Sequence, residues 1–174
     1  KTFKDMESSF TYIDTTDMGK DEINNYYDDY KSGAKVLDPQ FINKKELDAI
    51  TKSFSAVTVS LSWSKNDQLA FWINAYNAFT LKLIVDNYPV KSIQDLHPKI
   101  KIPLINTVWH IKFFKIGGKD ANLDEIEHKI LRKEFDEPRI HFAINCASYS
   151  CPPLLNEAFI PSKIDAQLDK VAVS

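Results

Sequence analysis

Glycine is scarce in this chain, with 4 in 174 residues. That scarcity argues against a repetitive β architecture, which needs turn glycines, and against a glycine-rich phosphate cradle. Cysteine is scarcer still: the 2 present stand five positions apart, too few for a disulfide scaffold. No apolar run approaches the roughly 20 residues that span a bilayer. Lys and Arg total 22 against 24 Asp and Glu, a net charge of -2, so no basic field points to nucleic acid or an anionic membrane. What is there is ordinary for a globular chain, 44% hydrophobic and 26% charged. This length buries a sizeable core in one domain with an added arm. The first residues, Lys1-Thr-Phe-Lys-Asp5, include neither an initiator Met nor an apolar signal core, so this end is read as trimmed or processed.

Along the chain, residues 1–66 are polar, with scattered aromatics such as Phe10, Tyr12, Tyr26, Tyr27 and Tyr30. Short helices are predicted near 20–32 and 43–54, the second opening on Asn43 as N-cap with Glu46 at the capping-box position. No internal repeat interrupts them. From Asp67 to about Asn87, apolar residues fall at Leu69, Trp72, Tyr76, Phe79 and Leu83, and the other side carries Ala70, Ile73, Leu81 and Ile84. A helix apolar nearly all round is a central, buried one. Asn87-Tyr88-Pro89 ends it, because the residue before proline disfavours the helical region.

A strand is predicted over Val108–Ile116, turned by Gly117-Gly118, then a helix from Asn122 to Glu134 with Asn122 as cap. Glu137-Pro138 breaks that helix, and Ile140 to Asn145 reads as a short apolar strand. A final amphipathic stretch covers roughly 162–172. The fold class expected is mixed α/β (α+β), a central buried helix packed on a small sheet. An N-terminal helical arm is expected over 1–59 and a core over 60–174.

Glu127 is the most informative single position. Leu123, Ile126, Ile130 and Leu131 define one helix face at about 100° per residue, and Glu127 falls inside that apolar arc. Glu125, Lys129, Arg132 and Lys133 fall outside it. A carboxylate turned into a core costs several kcal/mol unless it is paired or hydrogen-bonded. Arg139 and His141 are the partners nearest in sequence. One reading is a buried Glu–Arg pair or a Glu holding loop amides; the other is a carboxylate that orients His141 as a general base. His128 reads as a rim residue on the helix flank, and His97 and His110 carry no supporting pattern.

Three readings compete for Cys146 and Cys151. Either thiol as a nucleophile needs a histidine within reach. A disulfide fits a tight loop if the Cα atoms come near about 5.5 Å. Metal ligation with His128 or His141 lacks the spacing of common zinc knuckles. A straight strand would hold His141 and Cys146 roughly 16 Å apart on opposite faces, so a simple Cys–His pair is not built by that geometry. Asn74 and Asn77 stand three apart on the buried helix, where amides need partners; they either cap backbone groups or line a polar, substrate-binding pocket.

Four ordered motifs carry a resemblance. Phe71-Trp-Ile-Asn-Ala-Tyr-Asn-Ala78, Asp124-Glu-Ile-Glu-His128 with Leu131-Arg132, Pro138-Arg-Ile-His-Phe-Ala-Ile-Asn-Cys146 and Ser150-Cys-Pro-Pro-Leu154 together resemble the DUF547 family over about residues 60–160. The resemblance implies a mixed α/β domain, found in plants and in bacterial, often exported, proteins. The expected compartment is therefore extracytoplasmic, with the cytoplasm left open. Carried over position by position, the family's marked polar residues match Asn74, Asn77, Glu127, His128, His141, Cys146 and Cys151. The family pattern also continues into a further aromatic-rich segment, so the core over 60–174 is expected to be short at its C-terminal end. A buried helix followed by a strand opening with histidine is similar to the papain and transglutaminase architecture as well. There the helix start carries the nucleophilic cysteine, whereas Leu69-Ala-Phe-Trp72 here has none.

The function expected is a thiol-dependent hydrolase or acyl-transfer enzyme of peptide-like bonds. Cys146 or Cys151 would be the nucleophile, His141 the base and Glu127 its orienter, with Asn74 and Asn77 binding substrate. No metal or other cofactor enters this scheme, and the partner is a peptide-like substrate or a protein. The alternative is a non-enzymatic binding or scaffold domain in which a buried Glu network and a Cys146–Cys151 disulfide are structural.

Overall fold

A computed structural model describes residues 42–90, 92–98, 107–147, 151–152, 154–155 and 157–173. The helix predicted near 20–32 lies outside these described residues. The first described helix, α1 (Lys44–Ala56), opens on Asn43, whose side chain accepts from the Glu46 amide at 3.2 Å. Its buried stripe, Leu47, Ile50, Thr51 and Phe54, follows the three-and-four spacing of one helix face. Ile50 and Phe54 belong to the same buried cluster as the central helix, so this part of the expected arm is a wall of the core.

The central helix α2 (Lys65–Asn87) begins slightly before the apolar pattern does. Ser64 caps it: its hydroxyl accepts from the Asp67 amide at 3.1 Å, and the Asp67 carboxylate accepts from the Ser64 amide at 3.2 Å. This reciprocal pairing satisfies two donors that would otherwise be orphaned at the helix start. Ala70, Phe71, Ile73, Ala75, Tyr76 and Ala78 are fully buried, as the apolar pattern on both sides requires. Lys82, bonded to Asp48 and Asp86, ties α1 to α2 at the surface.

Two predicted strands take other forms. Over Val108–Ile116 only β1 (Phe114–Ile116) forms a strand, while Val108–His110 is a 3-10 turn. Thr107 decides this locally, since its carbonyl accepts from the His110 amide at 3.0 Å and its hydroxyl lies 2.7 Å from His110 Nδ1. Such short-range bonding offers the backbone an alternative to a ladder. β1 pairs antiparallel with β2 (Lys119–Ala121), Phe114 opposite Ala121 and Ile116 opposite Lys119. Gly117 and Gly118 both take positive φ, 57° and 78°, the two-residue hairpin turn that glycine permits. A Cβ on Gly117 would also meet Thr58 Oγ1 at 3.1 Å. Phe114 stacks on Phe79 of α2 with ring centroids 3.8 Å apart, seating the hairpin on the central helix.

The second correction lies at residues 140–145. Ile140–Ala143 is a helical turn rather than a strand; α3 (Arg132–Glu134) precedes it, so it is α4. Backbone bonds from His141 to Pro138 and from Phe142 to Arg139, at 3.3 and 2.9 Å, close it. A short apolar run satisfies a buried helical turn as well as a strand, and periodicity alone cannot separate the two. The separation that a straight strand would impose between His141 and Cys146 therefore does not apply. The last helix, α5 (Ile164–Ala172), buries Ile164, Gln167, Leu168 and Val171 and packs on α4. The architecture is mixed α+β: helices gathered round α2, with one small antiparallel hairpin. Among the described residues no helix is long and apolar enough to cross a membrane.

Candidate active site

The helix that carries Glu127 is capped as the sequence predicts, the Glu125 amide donating to Asn122 Oδ1 at 2.8 Å. It then winds as a π-helix over Glu125–Leu131 before continuing as α3. π turns are rare, and they occur often at functional sites. In an α-helix, residues five apart stand about 140° from each other around the axis. The wider turn bonds i to i+5, and the Arg132 amide does donate to the Glu127 carbonyl. The two side chains meet on one face. Arg132 Nη2 and Nε donate to Glu127 Oε1 at 2.7 and 3.1 Å. The Glu127 side chain is 17% exposed and that of Arg132 44% exposed, so the pair lies across the protein surface.

The second carboxylate oxygen belongs to the core. Tyr76, fully buried in the middle of α2, donates its hydroxyl to Glu127 Oε2 at 3.1 Å. Burial holds this phenol far above its ordinary range, and the Glu127 carboxylate pushes the same way. Sequence reasoning counted Tyr76 as one more apolar position. The missed signal was chemical: a buried tyrosine hydroxyl needs an acceptor.

Arg132 links the carboxylate to His141. Its Nη2 lies 3.4 Å from His141 Nδ1. Arginine only donates, so this contact makes Nδ1 the acceptor and leaves the proton of the neutral ring on Nε2. Glu127 is thus bonded through Arg132 toward His141. Arg139, one of the partners nearest in sequence, is engaged elsewhere: it bonds Glu137, Asp165 and Asp169.

Asn74 and Asn77 act on backbone. Asn77 Nδ2 donates to the Ala143 carbonyl and its Oδ1 accepts from the Asn145 amide, both at 2.9 Å. Asn74 does the same for Phe159, donating at 2.8 Å and accepting at 2.9 Å. Each amide thus replaces a missing strand neighbour for a segment that would otherwise bury unpaired polar groups. Asn145 continues the scaffold, donating to the Pro152 carbonyl at 2.7 Å and accepting from the Ala147 amide at 2.7 Å. Ala147 takes a φ of 58°, uncommon for a residue with a Cβ, directly after Cys146. Cys146 and Cys151 are half-buried thiols, and the Cys146 amide donates to Cys151 Sγ at 3.3 Å.

The remaining histidines lie outside this constellation. His128, 56% exposed, bonds Asp124 at 3.1 Å, and His110 approaches the same oxygen at 3.6 Å. His97 accepts the Val108 amide at 3.0 Å. Among the described residues, no group of three or more His, Cys, Asp and Glu side chains is placed to hold a metal ion.

The family description "protein of unknown function, DUF547" matches residues 60–174. The chain belongs to the DUF547 family. No curated protein and no solved structure matches it. Within this DUF547 domain lie Tyr76, Glu127, Arg132, His141 and both thiols, as well as the two asparagine clamps. α1 precedes the matched span yet walls the same core.

Proposed function

We propose that this DUF547 domain is a thiol-dependent hydrolase or acyl-transfer enzyme acting on peptide-like bonds. The observation that supports the reading is the line of bonds from the buried Tyr76 hydroxyl through Glu127 and Arg132 to His141, in a domain where the Cys146 amide also donates to the Cys151 sulfur. In the reaction, the sulfur of Cys146 or Cys151 adds to a carbonyl carbon and the bond to nitrogen breaks. The amine leaves with the proton that His141 took from the thiol. Water then cleaves the thioester, releasing the acid and restoring the thiol. His141 accepts a proton at Nδ1, the nitrogen that faces Arg132. That contact is long at 3.4 Å and the residue is exposed, so the ring turns away from Arg132 at little cost. Glu127 holds Arg132 and so sets the position from which the ring starts. The likeness to papain and transglutaminases rests on a strand opening with histidine, and His141 instead lies in a helical turn, so only the choice of thiol nucleophile and histidine base is kept.

An activated aryl ester of a short peptide tests the proposal. Intact-mass analysis is expected to find a thioester on one cysteine, lost in either Cys146→Ser or Cys151→Ser but not in both. Glu127→Gln should slow its formation with the fold retained. Acylation of both cysteines at the rate of a free thiol overturns the reading.

A second reading is favoured by the asparagines, whose amides are occupied on both sides by backbone. Here the domain binds a protein partner and the polar network only supports its shape. Glu127→Ala then unfolds the chain, and Glu127→Gln leaves thiol reactivity unchanged.

A further inference from the structure

The two thiols stand in a relation that acyl transfer by a single cysteine does not use. The Cys146 amide nitrogen lies 3.3 Å from Cys151 Sγ. Since the N–Cα bond is about 1.46 Å, that sulfur is at most about 4.8 Å from the Cα of Cys146. The Cys146 sulfur hangs from the same Cα through one Cβ, so both thiols lie at the close range that a disulfide needs. The bond is also held ready from outside the loop. Asn77 fixes the chain on one side of Cys146 through Ala143 and Asn145, and Asn145 in turn holds the Pro152 carbonyl next to Cys151. The Cys146 amide thus holds the Cys151 sulfur, which as a thiolate is the form that attacks a disulfide.

We infer that Cys146 and Cys151 form a reversible dithiol–disulfide pair, a modification site that switches the thiol site off when oxidised. The oxidant is a low-molecular-weight disulfide of the glutathione class. The Cys151 thiolate attacks one of its sulfurs, giving a mixed disulfide and releasing one thiolate. The Cys146 thiolate then attacks the Cys151 sulfur of that adduct, forming the Cys146–Cys151 bond and releasing the second. The protein is oxidised by two electrons, the small disulfide is reduced by two, and the two thiol protons pass to the released thiolates. The closed loop is short, so the bond constrains the unfolded chain little. This suits a bond that is made and broken rather than one that holds the fold. The switching half of the inference rests on the thiol-enzyme reading; the disulfide itself does not.

The test uses the full chain, reduced and then equilibrated in glutathione buffers of rising oxidised fraction. Acid quenching, maleimide alkylation and peptide mapping follow. An internal Cys146–Cys151 link is expected, with a mass loss of about 2 Da that a dithiol reverses. Cys146→Ser should instead keep the glutathione adduct on Cys151, because the resolving thiol is gone. Near-ultraviolet circular dichroism of reduced and oxidised protein should match, showing that the fold tolerates both states. Persistence of the mixed disulfide in the wild-type chain, or alkylation of both thiols at every buffer ratio, overturns the inference. Oxidised protein should also lose acylation by the aryl ester, and acylation that survives oxidation overturns the switch. If reduced protein is never acylated while the link still forms, the enzyme reading fails and the dithiol pair stands.

Discussion

Two arginines flank the helical turn that carries His141, and they are partnered in different ways. Arg139 caps its N-terminal side and bonds three carboxylates, Glu137 beside it and Asp165 and Asp169 on α5. Every charge it can satisfy is satisfied, and the result ties α4 to α5. Arg132 meets one carboxylate, Glu127, and its remaining reach is toward a histidine ring. The first arrangement fits the needs of the fold. The second binds a core tyrosine, a half-exposed arginine and an exposed histidine into one line.

The comparison can be broken most forcefully at Arg139. Arg139→Ala should give the largest drop in the urea midpoint of the three variants, because it removes one guanidinium from three carboxylates at once and unties α4 from α5. The acid limb should change with it. The Arg139 guanidinium holds the Glu137 carboxyl below its ordinary value of 4.5. The stability this supplies is present above that value and lost as pH falls through the lower native one. The variant should lack that acid-side loss.

Tyr76→Phe should have a smaller effect, about 1.5 kcal/mol, since a hydrogen bond to a charged group is removed without a large cavity. Here the pH dependence has the opposite sense. The phenol is raised above its ordinary value of 10.0, so its contribution is complete below that pH and lost as pH rises beyond it. The variant should resist alkaline unfolding better, relative to its own stability at neutral pH.

The smallest effect on stability is expected for Arg132→Ala, under about 1 kcal/mol, because the pair is partly exposed. It should nevertheless shift the imidazole nitrogen resonances of His141, whose Nδ1 loses its donor. If Arg132→Ala unfolds the protein as readily as Arg139→Ala does, the distinction between the two arginines disappears.

Much of the helical framework was legible. Asn43 as cap, the all-round apolar pattern of α2, its end before Pro89, the glycine turn and the Asn122 cap all depend on neighbours within a turn or two. The strands at Val108 and Ile140 were misread because both are short apolar runs. Thr107 closes the first into a 3-10 turn, and bonds back to Pro138 and Arg139 close the second. The need of Glu127 for a partner was also visible: a carboxylate in an apolar arc must be answered. Which partner was not visible, because an α-helical projection sets Arg132 on another face.

The sequence by itself determined where the principal helices lie and that Glu127 had to be answered by a donor, since periodicity, caps and burial of charge are local matters. Tertiary structure alone decided that the answer comes from Tyr76, 51 positions away, and from Arg132 through a π turn. It also decided that Asn77 and Asn74 reach 66 and 85 positions ahead to hold the chain beside the cysteines and at Phe159. Such bonds depend on how α2 packs against segments with no strand of their own to pair with, and no pattern within a helix encodes that.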